Sequence, residues 1–302
     1  MGSYVLVTPA RDESDVMADL VHTVRAQELR PRLWLILDDG SQDDTPRKLD
    51  EVAQREPWIH VVRGTVASRR HEPSRYAAVL GAAFRRATEI AEGEGIQYDY
   101  VANLDADVRC PPELLAELVS RSDRDRMVGI ASCAMTEVDE EGQARPAPSP
   151  LVESRHALRR GLRLWRRDCL EEVAYYPSPS WAAVTTVRAQ NRGWKTVVHP
   201  DLEAEVVRAD GQRSGFWRGY RRLGQEQWHI GLHPALVAAE ALRASARDRD
   251  LRGLALVSGY LESALRGQRQ TADPEVRSFF HRELPREALL DAARRFFPSR
   301  RR

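Results

Sequence analysis

Tyr98-Asp99-Tyr100-Val101-Ala102-Asn103-Leu104-Asp105-Ala106-Asp107 decides how this chain is read. The apolar run up to Leu104 predicts a β-strand, and the strand closes on two carboxylates. Alternation along a strand sends Asp105 and Asp107 to one side, with Ala106 between them leaving room for a ligand. Carboxylates of this kind suit Mg²⁺ or Mn²⁺, which keep several waters and complete their shells from phosphates. A D-x-D triplet also serves as an ordinary loop cap, so a second feature matters. Asp38-Asp39-Gly40-Ser41 ends another apolar run, Leu33-Trp34-Leu35-Ile36-Leu37. Ligands of open α/β sheets gather at the carboxyl ends of the strands, which places both acidic pairs where a nucleotide would sit.

Outward from these two tips, the first ~135 residues alternate strands and helices, the pattern of a mostly parallel sheet. Strands are expected at Tyr4–Thr8, Leu33–Leu37, Ile59–Val62, Tyr98–Leu104 and Met127–Met135. Ser14 is a candidate cap for the first helix, and Thr45–Gln54 and Tyr76–Ala91 form the next two. Pro111 is expected to open a fourth helix. Glu137–Pro150 holds Pro146, Pro148 and Pro150 without periodicity and reads as a surface loop or lid. Beyond it come a strand at Gly161–Trp165, helices at Arg167–Val173 and Trp181–Arg192, the latter stopped by Gly193, and two short strands, Lys195–His199 and Glu203–Val207. From Gly215 the chain reads as helices broken near His233-Pro234, Gly253, Asp273-Pro274 and Pro285. The fold class is α/β, a Rossmann-like, mostly parallel twisted sheet flanked by helices, over residues 1–212. A helical region, 213–302, follows and packs on it or on a membrane surface.

Composition narrows the function. The 302 residues carry a formal net charge of +1, so no global field calls for nucleic acid. Three cysteines without C-x-x-C spacing, Cys110, Cys133 and Cys169, fit a reducing compartment and give no zinc or disulfide pattern. No leader or long apolar span is visible, which points to a cytoplasmic protein.

Thr8-Pro9-Ala10-Arg11-Asp12-Glu13, Asp38-Asp39-Gly40-Ser41 and Leu104-Asp105-Ala106-Asp107, in this order and at these separations, resemble the family-2 glycosyltransferases of the GT-A fold. Leu164-Trp165-Arg166-Arg167, Gly193-Trp194-Lys195, Pro200-Asp201-Leu202, Gly231-Leu232-His233-Pro234 and Gly259–Gly267 extend the resemblance toward a non-processive bacterial branch. It implies a hexosyltransferase-type, inverting, metal-assisted transfer of a sugar from a nucleoside diphosphate to a hydroxyl of a glycan, a lipid-linked or a small-molecule acceptor. By position, Pro9 and Ala10 would line the base and ribose with Glu13 nearby, and Asp39 would bond the base, most often uracil. Asp105 would reach the ribose or the metal, and Asp107 the Mg²⁺ or Mn²⁺ that bridges the diphosphate. Arg75 would stand near that diphosphate, or else be a solvated surface arginine.

The departures carry equal weight. Where the family places an acceptor-side carboxylate as general base, this chain reads Trp181-Ala182-Ala183-Val184-Thr185-Thr186-Val187. Where a later histidine usually helps hold the metal, it reads Val206-Val207-Arg208. Asp201, Glu203 and Glu205 are the close acids left as catalytic candidates. A different class of function, a catalytically impaired nucleotide-binding module, follows from the same gap. Sugar-phosphate nucleotidyltransferases need a glycine-rich loop after strand one, and Pro9–Glu13 has no glycine.

Trp181 and, within the aromatic and basic stretch Trp217–Arg222, Arg222 are candidates for the acceptor side, helix-surface charge being the plainer account of the latter. His229 and His233 are four apart, as a metal pair on one helix face would be, yet no third ligand accompanies them. The apolar face of Leu251, Leu254, Leu256, Val257, Tyr260 and Leu261 suits helix packing, or peripheral contact with the inner face of a membrane.

Overall fold

Strands β1 (Tyr4–Ala10), β2 (Leu33–Asp38), β3 (Ile59–Arg63) and β4 (Tyr100–Leu104) pair in parallel in the order β3-β2-β1-β4. β1, β2 and β4 are buried along their whole length, as central parallel strands covered on both faces must be. The computed structural model describes residues 1–64, 75–138, 144–146, 161–175, 177–207, 216–248 and 250–296. The chain divides into two units, Met1–Ala209 and Asp210–Arg302.

In the first unit, α1 (Met17–Arg25), α2 (Thr45–Arg55) and α3 (Arg75–Gly93) follow β1, β2 and β3 in the chain. Then come β5 (Val108–Arg109), α4 (Leu114–Arg124), β6 (Val128–Val138), β7 (Ala144–Pro146), β8 (Leu162–Arg166), α5 (Arg167–Val173), α6 (Trp181–Asn191) and β9 (Lys195–Val206). Beyond β4 the sheet continues β8-β6-β9-β5 and becomes mixed: β8 runs antiparallel to β4 and β6, β9 parallel to β6, and β5 antiparallel to β9. The parallel half is therefore the part legible as alternating strand and helix. Strand alternation splits the core in two. Tyr4, Leu6, Trp34, Ile36 and Tyr100 pack with Leu20 and Val24 of α1 and Leu115 and Leu118 of α4. Val5, Val7, Leu35 and Val101 pack with Val79, Leu80, Ala83 and Phe84 of α3, together with Val173 and Trp181.

Several local expectations are corrected. α1 starts at Met17 with no side-chain cap; the Glu13 carbonyl accepts from the Val16 and Met17 amides, and Ser14 is drawn off to Asp43. Pro111 does not open α4 but forms a turn before it, its carbonyl accepting from Leu114 at 3.1 Å. The two short strands after Gly193 are one strand, β9. Its register with β6 jumps from Cys133↔His199 to Ala134↔Glu203, looping out Pro200-Asp201-Leu202, and proline in a strand is at home at such a bulge. Inside the expected loop Glu137–Pro150, β7 pairs with Thr136–Val138; residues 139–143 and 147–150 lie outside the described residues.

The second unit contains α7 (Phe216–His229), α8 (Pro234–Asp248), α9 (Arg252–Leu265), α10 (Pro274–Ser278), a π-helical turn at Phe279–Glu283 and α11 (Leu284–Phe296). The break expected near Gly253 falls between α8 and α9, just before that residue; a Cβ on Gly253 would strike the Ala241 carbonyl oxygen of α8. α7 and α9 also touch backbone to backbone. A Cβ on Gly259 would land on the Arg221 carbonyl oxygen, and one on Gly224 on that of Leu256. Gly259→Ala should therefore cost roughly 2 kcal/mol or more by overpacking. Gly219→Ala, in α7 with nothing within 4 Å of its would-be Cβ, should stabilise by up to about 1 kcal/mol through helix propensity. Thermal unfolding of the two variants checks the pair; equal melting temperatures would contradict this packing.

His229 ends α7, whereas His233 precedes α8, so they share no helix face. The His233 ring instead lies 5.2 Å from that of His281, and its Nδ1 accepts from the Ala235 amide. The apolar residues of α9 and its cap divide: Leu256 and Tyr260 are buried, while the cap residue Leu251 and Leu254 and Leu261 of the helix are exposed.

Candidate active site

The loops after β1 and β2 are zipped together by short polar side chains. The Ser41 amide and hydroxyl both donate to Asp38 Oδ1, at 2.9 and 2.6 Å, and Ser41 Oγ accepts from the Asp12 amide at 2.9 Å. Gln42 N–H donates to Asp12 Oδ1 at 2.7 Å, Glu13 N–H to Thr45 Oγ1 at 2.8 Å, and Ser14 N–H to Asp43 Oδ2 at 3.0 Å. These bonds hold Asp12 at φ +52°, a left-handed conformation that aspartate tolerates better than most residues. The two neighbouring aspartates thus divide their labour: buried Asp38 builds the loop, and Asp39 is turned to another partner.

That partner is Arg75. It is the first residue of α3, and its Nε and Nη2 donate to the two carboxylate oxygens of Asp39, both at 2.6 Å. Arg11 Nη1 lies 3.5 Å from Asp39 Oδ2. With side-chain exposures of 12 % for Arg75 and 5 % for Asp39, this is a sheltered fork-on-fork pair, not a solvated surface arginine. The Ala10 carbonyl accepts from the Asp39 amide at 2.9 Å, so Pro9 and Ala10 at the end of β1 abut the same group.

Asp105-Ala106-Asp107 lies in a turn after β4, not on the strand, so strand alternation does not place its side chains. The turn is pinned three times. The Asp105 amide donates to the Gly161 carbonyl at 2.8 Å, the Asp105 carbonyl accepts from Val108 at 3.2 Å, and the Asp107 carbonyl accepts from Val207 at 2.8 Å. Ala106 is buried while both aspartates are partly exposed, so the small residue faces the core and the acids are partly open to solvent. The Tyr76 hydroxyl donates to Asp105 Oδ1.

Among the described residues no group of three or more His, Cys, Asp or Glu side chains gathers as a metal cage. Two half-sheltered carboxylates nevertheless match what Mg²⁺ or Mn²⁺ takes from protein when phosphates and water supply the rest. The carboxylates of Asp105 and Asp107 are of the donor type that would suit such an ion.

Trp181, expected on the acceptor side, opens α6 and is 2 % exposed. Its ring lies 6.1 Å from that of Tyr76, 5.8 Å from that of Tyr175 and 4.8 Å from the guanidinium of Arg163. Arg163, on β8, is fully buried and donates to the Ala182 carbonyl at 3.2 Å. The Thr185 and Thr186 hydroxyls donate back to the Trp181 and Ala182 carbonyls, at 2.6 and 2.7 Å. Asp201 is clasped by Arg121 of α4 at 2.7 Å, whose hydrogen bond holds its carboxyl below the usual range. Glu205 lies 3.8 Å from Arg109 of β5, and Glu203 stands opposite Ala134 on β9. Arg222 belongs to α7 of the second unit, 3.3 Å from Glu226.

Pro9, Ala10, Asp39, Arg75, Asp105 and Trp181 are thus linked through α3. Arg11, Tyr76, Tyr175 and Arg163 were not singled out from the sequence. Tyr76 offered a signal there as the neighbour of Arg75, and Arg11 as a member of the Thr8–Glu13 motif.

His199 provides a pH test of the β9–α4 corner. Burial first, and then Arg121, push its imidazole pKa below the ordinary value. The unfolded chain takes up the proton at higher pH, so stability is lost as pH falls below about 6.5 toward the folded pKa. His199→Gln should lose less melting temperature than the parent between pH 7.5 and 5.5; equal losses would contradict this.

Glycosyl transferase family 2 matches residues 5–178, more than half of the chain. The undecaprenyl-phosphate 4-deoxy-4-formamido-L-arabinose transferase of Klebsiella pneumoniae (strain 342) is 32 % identical over 122 residues, 39 % of this chain and 33 % of that protein. The match spans about a third of that relative's length. Among solved structures, the mannosyltransferase PcManGT from Pyrobaculum calidifontis, in complex with GDP-Man and Mn²⁺, superposes with a TM-score of 0.56 at 18 % identity. That likeness covers 99 % of this chain and 81 % of the other. TarS 1–349 of S. aureus with UDP-GlcNAc gives 0.53 at 14 % identity, over 90 % and 93 % of the chains. These likenesses establish the GT-A glycosyltransferase fold, and with the family match over β1 to the segment after α5, the chain belongs to glycosyl transferase family 2.

Proposed function

We propose that the protein is an inverting glycosyltransferase that moves a sugar from a UDP-sugar, with Mg²⁺ or Mn²⁺, to a hydroxyl acceptor. The observation that carries the reading is the row Arg11–Asp39–Arg75 beside the Asp105–Asp107 turn. In that reading Asp39 would accept from the imide N–H of uracil or thymine, and the N–H groups of Arg11 and Arg75 beside it would donate to the flanking carbonyls. Guanine presents one acceptor and two donors and would leave one arginine opposite an N–H.

When bound, the cation would neutralise charge growing on the departing diphosphate. Asp107 and Asp105 hold it, Pro9 and Ala10 back the base and ribose with Glu13 in the adjoining loop, and Arg75 fixes Asp39. Trp181 walls the acceptor side. The proton of the attacking hydroxyl needs a base, and the α6 threonines, whose hydroxyls are engaged with carbonyls, do not supply it. Asp201 is a poor base while Arg121 holds it; Glu203 and Glu205 remain the candidates.

Acceptors in reach of this chemistry are glycans, lipid-linked sugars and small molecules. The Klebsiella relative's undecaprenyl-phosphate favours lipid-linked ones, and with them contact with a membrane. No helix among the described residues is long and apolar enough to cross a membrane, so such contact would be peripheral. The sequence boundary at 212/213, close to the division between the two units, would separate the transferase domain from the helical region.

A panel of UDP-, dTDP- and GDP-sugars with Mn²⁺ tests this. Turnover of the uracil and thymine donors above the guanine donor is expected; preference for GDP-sugars overturns the base reading. The lack of an acid on α6 favours a second reading, a nucleotide-binding module without catalysis. Donor binding with no turnover, acceptors included, would establish that one.

A further inference from the structure

We propose that Tyr76 is a positioning residue that aims Asp105 at the divalent ion; this rests on the metal-assisted reading above. β2 and β4 are two strands apart, which separates their tips by about 10 Å across the end of β1. Consecutive residues of the first turn of α3 span that gap: Arg75 reaches Asp39 on the β2 side, and Tyr76 reaches Asp105 on the β4 side. One rigid turn therefore sets both carboxylates.

Packing leaves the Tyr76 ring little freedom. It lies against Trp181, which is itself enclosed by Tyr175 and Arg163. The Tyr175 hydroxyl donates to the Ala77 carbonyl at 2.9 Å, tying the same turn of α3 to the segment before α6. A phenol held this way donates to Asp105 Oδ1 from a fixed direction. The carboxylate plane is thereby set before an ion arrives. Partners that orient metal ligands in this way typically matter by 10–100-fold in affinity.

The test is Mn²⁺ binding, read by the loss of the free-ion electron paramagnetic resonance signal in the presence of UDP. Tyr76→Phe keeps the ring packing and removes the hydroxyl alone. It should weaken Mn²⁺ binding roughly 10-fold, with the melting temperature and UDP affinity in EDTA unchanged. Tyr76→Leu, which loses ring and hydroxyl together, should lose ion binding and also melt lower. If Tyr76→Phe binds Mn²⁺ as the parent does, the positioning role is overturned. If the parent with UDP takes up no Mn²⁺ at all, the metal-assisted reading itself fails.

Discussion

Asp107→Ala is expected to abolish donor turnover, lowering it by roughly 10³-fold or more, with no loss of the fold. Removing even one group aimed at developing charge in an excluded site typically costs 10²–10³ in rate. In the proposed reading Asp107 is one of the two carboxylates that hold the ion, so its loss would remove half of that hold. The fold should survive, because the turn is pinned through the backbone: the Asp107 carbonyl, not its carboxylate, accepts from Val207. Donor hydrolysis in Mn²⁺ alongside a melting curve checks both halves. Turnover within a few-fold of the parent would remove this residue from the chemistry.

Asp39→Asn should weaken UDP binding about 10–100-fold, the worth of a charge-assisted hydrogen bond of ~1.5–3 kcal/mol. An amide can present either oxygen or N–H₂ toward the base, so discrimination between UDP and GDP should shrink together with affinity. Arg75 would lose its anionic partner in a sheltered place, and some stability with it. The nucleotide effect is separated from that loss by titrating UDP and GDP at a temperature well below both melting transitions. Unchanged UDP affinity with an unchanged UDP-to-GDP ratio would mean that Asp39 reads no base.

How much of this could be read from residues alone depended on distance along the chain. Leu33–Leu37 and Ile59–Val62 lie within their observed strands, and α5 was delimited residue for residue, because burial pattern and helix propensity act locally. Gly193, at φ +86°, stops the chain just after α6, as a glycine freed from Cβ sterics can. Gly253 marks the break between α8 and α9, as its low helix propensity suggested, but its close approach to the α8 backbone was not legible in the sequence. The site pairs join residues far apart, Asp39 with Arg75 and Asp105 with Tyr76, and periodicity says nothing about which distant side chains will meet. The motif singled out Asp39, Asp105 and Asp107; only the fold supplied the partners of Asp39 and Asp105. The two-strand reading of Lys195–Val207 failed at a bulge, where three residues leave the ladder without ending the strand.

A calorimetric titration of UDP into the protein, once with Mn²⁺ and once with EDTA, tests the central claim most directly. The account predicts tight binding with the ion, binding at least 10-fold weaker without it, and loss of the difference in Asp107→Ala. UDP binding of equal strength in Mn²⁺ and EDTA, or no binding in either, would contradict it.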